Sequence, residues 1–226
     1  MRILLLGHGR MGRLVESLAS EYGATIAGVI DEHSGERAIV DADYGPVDVA
    51  IDFTLADAVV KNLPQLAERK INVVIGTTGW QAQEASMRAI AARAGVGVLA
   101  ASNFSLGMNV FQLAVEEASR QFAKHAEFGA WIHESHHVMK KDAPSGTAIT
   151  IKNGMEQAGY SRPIDVSSTR AGSVPGTHTV GFDGPSETIE LRHTVRDRAV
   201  FARGALTAAK WLVGKQGWFS IRDMLA

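Results

Sequence analysis

The densest concentration of chemically capable side chains is one run, Glu134-Ser135-His136-His137-Val138-Met139-Lys140-Lys141-Asp142-Ala143-Pro144-Ser145-Gly146-Thr147-Ala148. Two histidines, two lysines and an acid precede a Pro-Ser-Gly-Thr turn that reads as a helix start, with Ser145 as its cap. The first N–H groups of a helix have no partner within it, so a helix start beside cations is a place to hold a carboxylate. Histidine and lysine are also the side chains most readily tuned to move a proton near neutral pH. The run reads as an anion site with an acid attached.

Four readings compete for it. A solvated polar loop accounts for the lysines but not for paired histidines running into a helix cap. A metal centre would use His133, Glu134, His136 and His137, yet alternation along a strand sets neighbouring histidines on opposite faces, and the spacing has no coordination rationale. No metal is therefore expected. The third is an anion-binding site without chemistry, as in a nucleotide sensor. The fourth is the proton-supplying, carboxylate-holding half of a hydride-transfer site, and the elements around the run favour it.

Those elements begin with a short apolar run, Arg2 to Leu6, followed by Gly7-His8-Gly9-Arg10-Met11-Gly12 and a helical stretch from Met11 to Tyr22. Glycines so placed between strand and helix let the chain turn tightly and let a pyrophosphate approach the backbone. Ala24 to Ile30 reads as a second strand ending in Asp31, about twenty residues on, where an acid binds a ribose 2′-hydroxyl. The polar stretch from His33 to Pro46 is expected to be a loop. Val47 to Phe53 is a third strand, followed by a helix that Pro64 kinks or splits. Asn72 to Ile75 is a fourth strand running into Gly76-Thr77-Thr78-Gly79. Gln81 to Ala94 is a helix ended by Gly95, and Val96 to Ala100 is a fifth strand leading to Ala101-Ser102-Asn103-Phe104. Strands alternating with helices imply an open parallel sheet of the Rossmann type, with ligands at the strands' C-terminal ends.

After Asn103 the pattern changes. Leu106 to Lys124 is a long amphipathic helix, Glu127 to Glu134 reads as strand, and Asp165 to Phe201 is mainly strand-like, with Ile189, Leu191 and His193 on one face. Gly204 to Ala226 reads as helix throughout. The fold class is therefore α/β: a dinucleotide-binding domain of residues 1–105 and 204–226, with an inserted α+β domain of residues 106–203 built on a mixed sheet. That sheet has apolar residues on more than one face, and a partner subunit is favoured over the long helix alone as its cover.

The chain has 226 residues, 46% of them hydrophobic, a net charge of -1 and no cysteine. Thiolate catalysis and disulfides are excluded, and the charge offers no reason to expect nucleic acid or an anionic membrane as partner. The apolar run after Arg2 is too short for a signal peptide core or a membrane span, so a cytoplasmic protein is expected.

Glu-x-His-His-x-x-Lys-x-Asp-Ala-Pro-Ser-Gly-Thr-Ala from Glu134 to Ala148 resembles the signature of dihydrodipicolinate reductase of lysine biosynthesis. The resemblance extends to Gly7-His8-Gly9-Arg10-Met11-Gly12, Gly76-Thr77-Thr78-Gly79, Asn103-Phe104-Ser105-Leu106-Gly107, Gly176-Thr177-His178-Thr179 and Gly204-Ala205. It implies reduction of dihydrodipicolinate or its hydrated form, a cyclic imine dicarboxylate, by NADH or NADPH, in a homotetramer. By the same resemblance His136 and Lys140 handle the proton, while His137, Ser145, Gly146 and Thr147 hold substrate carboxylate. Gly7 to Gly12 and Asp31 would bind the adenosine and pyrophosphate; Gly76, Thr77, Thr78, Ala101, Ser102, Asn103 and Phe104 would surround the nicotinamide. Asp31 followed by Glu32 and His33, with no adjacent arginine, points to NADH as the preferred cofactor. Another two-domain NAD-dependent dehydrogenase and a non-catalytic NAD sensor are the alternatives.

Overall fold

Short runs of Ile, Leu and Val between glycines become strands buried on both faces. The computed structural model describes residues 1–226 and divides them into two units, Met1–Ser105 with Ala199–Ala226, and Leu106–Arg198. The first unit holds β1 (Arg2–Leu6), α1 (Arg10–Leu18), β2 (Thr25–Ile30), α2 (Ala38–Asp41), β3 (Val49–Asp52), α3 (Ala56–Glu68), β4 (Asn72–Ile75), α4 (Glu84–Ala94) and β5 (Gly97–Ala100). The second holds α5 (Leu106–Phe122), β6 (Gly129–His136), α6 (Gly146–Gln157), β7 (Ile164–Arg170), β8 (Thr177–Asp183) and β9 (Thr188–Thr194). The chain then returns to the first unit with α7 (Ala199–Leu212), β10 (Gly217–Phe219) and α8 (Ile221–Leu225). Residue 204 therefore lies inside a helix of the first unit, and the change of unit comes at Ala199.

The first sheet is parallel throughout, in the order β10-β5-β4-β3-β1-β2. Strand order reverses between β1 and β3, which makes their C-terminal ends the switch point where ligands bind in open α/β sheets. Ile39, Val59, Leu63, Met87 and Ala91 of α2, α3 and α4 share one core with Leu4, Leu6 and Val73 of the sheet. The small residues of α7 (Ala202, Gly204, Ala205, Ala208) are wholly buried, and α7 packs against β3, β4 and α1.

Four local expectations change. The stretch from His33 to Pro46 contains α2, because burying Ile39 against the core rewards a helical turn there. Pro64 neither splits nor ends α3, since Val59 and Leu63 before it and Leu66 and Ala67 after it are all buried and hold both halves against the core. The helix expected from Gln81 opens with a 3-10 turn, Gln81–Gln83, before α4. Trp218 and Phe219 are strand, not helix. Three residues cannot display a period; they pair with β5 because its edge is open, and Trp218 packs against Trp80 at 6.0 Å between ring centroids.

The second sheet runs β7-β6-β8-β9, with β6 and β7 parallel and the other pairs antiparallel, so it is mixed as expected. Along β6 alternate residues Ala130, Ile132, Glu134 and His136 are buried. Ala130 and Ile132 join a core with Met108, Phe111 and Val115 of α5, Ile151 and Met155 of α6, and Val180 and Phe182 of β8. Glu134 and His136 continue the same face, so the polar site begins where the apolar core stops. The opposite face carries Trp131, His133 and Ser135, with His133 bonded to the hydroxyls of Ser167 (2.9 Å) and Ser135 (3.1 Å).

Candidate active site

In the first unit the β1–α1 turn is as tight as its glycines allow. Gly7 sits at φ +88°, and a Cβ on Gly12 would lie 2.0 Å from the carbonyl oxygen of Gly7. A Cβ on Gly9 would meet nothing within 4 Å, so the backbone there faces open space, as a turn that accepts a pyrophosphate must. A cleft of about 550 Å³ opens at the switch point, lined among others by Gly7, His8, Gly9, Arg13, Asp31 and Glu32. Asp31 accepts hydrogen bonds from the N–H of His33 (3.0 Å) and the hydroxyl of Ser34 (3.3 Å), which orients its carboxylate in that cleft. Arg10, Met11, Gly76, Thr77 and Thr78 line a neighbouring cleft with Gly9, and Ala101 and Ser102 line a third with Thr77. These surfaces suit a dinucleotide.

Asn103 and Phe104 line none of the three clefts. The Asn103 side chain caps the N–H of Ser105 at 2.8 Å. Phe104 is buried, its ring edge-on to Phe53 at 6.2 Å. Asp52, which the sequence reading passed over, ties the neighbourhood together. Its buried carboxyl accepts from the Thr54 N–H (2.9 Å), Asn62 (3.0 Å) and the Thr77 hydroxyl (3.2 Å). Burial raises its pKa and these hydrogen bonds oppose the rise.

In the second unit the centre is Glu134, whose side chain has no exposed surface. One oxygen bonds His136 Nδ1; the other accepts the Ser145 N–H at 3.1 Å. Arg170 closes on both oxygens, at 2.9 and 2.6 Å. Burial opposes ionisation of Glu134, but hydrogen bonds from Arg170, Ser168 and His136 outweigh it and hold the pKa at about 2. An ionised carboxylate only accepts, so His136 carries its proton on Nδ1 and leaves Nε2 for other work. Burial lowers the pKa of His136, and Glu134 works against that.

Ser145 caps α6 as expected: its hydroxyl accepts from the Ala148 N–H at 3.2 Å and pairs with His178 Nε2 at 3.1 Å. Gly146 is exposed and Thr147 half-buried at the helix start, and the Gly146 N–H donates to Asp142 Oδ2 at 3.3 Å. The other oxygen of Asp142 meets Lys140 Nζ at 2.8 Å. A carboxylate of the chain itself thus bridges the helix start and Lys140, the two features expected to hold a substrate anion. His137 follows the end of β6, half-buried, and its carbonyl accepts the Lys140 N–H. His133 lies on the other sheet face from Glu134 and His136, so the four side chains of the metal reading do not converge.

The structure therefore brings His136, Ser145, Lys140 and the α6 start into one neighbourhood, and adds Glu134, Arg170 and His178. Glu134 was visible as part of the signature, and His178 stands in the Gly-Thr-His-Thr motif. Arg170 carries no sequence signal: it lies 36 residues from Glu134 and reaches it only because β7 pairs with β6.

Comparison with known proteins shows the family. Residues 1–104 match the profile of the dihydrodipicolinate reductase N-terminus, and residues 107–225 that of its C-terminus. The chain is 40% identical to a 4-hydroxy-tetrahydrodipicolinate reductase of Stenotrophomonas maltophilia and 35% identical to one of Christiangramia forsetii. Both alignments cover 100% of this chain and 98% of the relative. Among solved structures it resembles a dipicolinate-bound dihydrodipicolinate reductase from Paenisporosarcina sp. TG-14, with a TM-score of 0.82 at 21% identity over 97% of each chain. It also resembles a probable dehydrogenase from Thermotoga maritima, with a TM-score of 0.64 at 11% identity over 99% of this chain and 92% of that one. At such identities these two report on fold.

The buried histidine of the site makes stability depend on pH. Burial, and secondly the neighbouring His136, hold the pKa of His178 at about 4, well below the usual 6.5. Between those values the unfolded chain takes up a proton that the native state refuses, so stability falls as pH falls through that window. Glu134, held at about 2, adds a further loss as pH drops below about 4.5. By pH 5 His178 should have cost about 2 kcal/mol. Urea unfolding of His178→Gln should therefore lose less stability between pH 7 and pH 5 than the unmodified protein. Equal losses would show that His178 titrates normally.

Proposed function

This chain belongs to the dihydrodipicolinate reductase family, and from that premise we propose how its own residues carry out the reaction. The activity is NAD(P)H-dependent reduction of 4-hydroxy-tetrahydrodipicolinate to tetrahydrodipicolinate in the lysine and diaminopimelate pathway. When bound, the nicotinamide cofactor supplies the hydride. Gly7 to Gly12 and Asp31 hold its adenosine and pyrophosphate portion, and Gly76, Thr77, Thr78, Ala101 and Ser102 surround its nicotinamide. Asn103 and Phe104 support that end, through the Ser105 turn and the Phe53 ring.

The observation that carries the substrate side is the seat of Asp142. A helix start and an ammonium that already hold one carboxylate are equipped to hold the substrate's, once Asp142 gives way. Gly146 and Thr147, with Ser145 and His137, grip a carboxylate of the cyclic imine, which fixes the ring's orientation. His136 presents Nε2, and Lys140 its ammonium, as the pair that supplies a proton to the ring carbon beside the one that receives the hydride. The free site holds His136 mainly neutral; the substrate's two negative charges raise its affinity for a proton and make it an acid when one is needed.

Assay of NADH oxidation with freshly generated substrate tests the activity. His136→Gln and Lys140→Ala should each lower kcat by roughly 10²-fold or more, the scale of a positioned proton donor. Near-normal kcat in both variants would remove them from the chemistry.

NADH is the preferred cofactor in this reading, with NADPH also accepted. Asp31 and Glu32 line the ribose end of the cleft and repel a 2′-phosphate, while Arg13, in the same cleft, offsets part of that repulsion. A like-charge contact in partly solvated surroundings costs about 1–2 kcal/mol, so kcat/KM should favour NADH by roughly tenfold. Asp31→Ser with Glu32→Arg should move the ratio toward NADPH. Equal or better kcat/KM with NADPH in the unmodified protein would overturn the preference.

The protein works as a homotetramer joined through the sheet of the second unit. Trp131 is only half-buried on the face away from α5 and α6, and Ile189 is 41% exposed on β9. No helix is long and apolar enough to cross a membrane, and the cytoplasm, where the reduced cofactor is made, is the proposed location. Light scattering in physiological salt should report four chains; a stable monomer would exclude the assembly.

A further inference from the structure

Arg170 belongs to neither the signature run nor any motif, yet it spends every donor it has in the proton-handling site. A guanidinium has five N–H groups in a fixed plane. Here Nε donates to the Lys140 carbonyl (3.2 Å), Nη1 to Glu134 Oε2 (2.9 Å) and the Thr169 carbonyl (2.8 Å), and Nη2 to Glu134 Oε1 (2.6 Å) and the Asp142 carbonyl (2.6 Å). The side chain is only 18% exposed. The position follows from the sheet: Arg170 ends β7 in register with His136 at the end of β6, so its side chain reaches back across Glu134 and forward under the loop. One residue thereby grips the carboxylate that orients His136 and the backbone on either side of Lys141, next to the ammonium of Lys140.

We infer that Arg170 is a positioning residue for the reduction: it holds the Glu134 carboxylate so that His136 presents a bare Nε2, and holds the loop that carries Lys140. Arg170 acts through two residues, because its five donors are all taken by Glu134 and by the carbonyls of Lys140, Thr169 and Asp142. The groups that face Glu134 are His136 on β6, Arg170 and Ser168 on β7, the Ser145 N–H at the start of α6 and His178 opposite it on β8, with Lys140 on the loop between. Of these, Arg170 is the cation that contacts the carboxylate and is charged at every working pH. Without it the buried carboxylate has reason to take a proton, and protonated Glu134 would itself donate to His136 Nδ1, leaving the ring with its proton on Nε2. Lysine cannot replace it, since an ammonium offers three donors and no planar fork.

The inference rests on the reduction proposed above, and the test separates the two. Protein labelled with ¹⁵N in its histidines is examined without substrate, the His136 ring being assigned by its loss in His136→Gln. In the unmodified protein the neutral His136 ring should carry its proton on Nδ1 from pH 8 down to the pH at which Nε2 titrates. In Arg170→Lys and Arg170→Met the Nε2–H tautomer should appear. Their kcat should fall roughly 10- to 10²-fold, with KM for the cyclic imine changed far less. Their pH profiles should acquire an acid-side fall from Glu134 that the unmodified enzyme lacks. An Nε2–H ring in the unmodified protein overturns the inference even if neither variant folds. Unchanged kcat in both variants overturns it too, as does a lower kcat with the tautomer and pH profile unaltered, which would mean a purely structural role. If the chain proves not to reduce the imine, the unmodified enzyme is inactive while the ring measurement stands, so that failure is recognised separately.

Discussion

A carboxylate without exposed surface must be neutralised and hydrogen-bonded, because a single buried charge left unpaired costs about 3–5 kcal/mol. Glu134 is such a group, placed at the point on β6 where the apolar face of the second unit gives way to polar residues. Meeting its requirements draws four parts of the chain together: Arg170 from β7, His136 from its own strand, the Ser145 N–H at the start of α6, and, through Arg170, the loop around Lys140. His136, the start of α6 and the Lys140 backbone are thereby all tied, directly or through Arg170, to one carboxylate. Bidentate pairing with Arg170 keeps the charge where hydrogen bonds to His136 and Ser145 need it.

The proposed anion site next to it rests on a weaker, exchangeable version of the same physics. Asp142 is more than half exposed and is held by an ammonium and one helix N–H, contacts that a ligand carboxylate can take over at little cost. Lys140 and Glu134 both hold ion pairs, but solvent separates their roles. The Arg170–Glu134 pair is shielded from solvent, whereas the Lys140–Asp142 pair is open to it and, in the proposed function, gives way to a ligand.

In the first unit the governing constraint is steric. The β1–α1 turn closes until a Cβ at Gly12 would overlap the Gly7 carbonyl, while Gly9 is left facing open space. Around it, buried Asp52 draws Thr54, Asn62 and Thr77 from three successive elements and shapes the clefts on either side. Like Glu134, it is a buried acid whose partners lie at the mouth of a site.

Much of this was legible in the chain alone, because the features concerned are local. Glycines between strand and helix, Asp31 at the end of β2, the Ser145 cap and the Glu134–Ala148 run depend on neighbours within a few residues, and periodicity marked most of the strands and helices. The tertiary structure decided what rests on pairing across sequence. Trp218 and Phe219 become a strand because β5 offers an edge. The helix through Pro64 stays whole because both halves are buried. Asn103 caps the Ser105 N–H and Phe104 packs edge-on to Phe53, contacts that no local pattern announces. Arg170 reaches Glu134 only through the register of β6 and β7, and His178 reaches Ser145 only across β6 and β8. A residue type states which bonds a side chain can make; which partner is within 3 Å of it is settled by strand register and helix packing, and no local pattern encodes those.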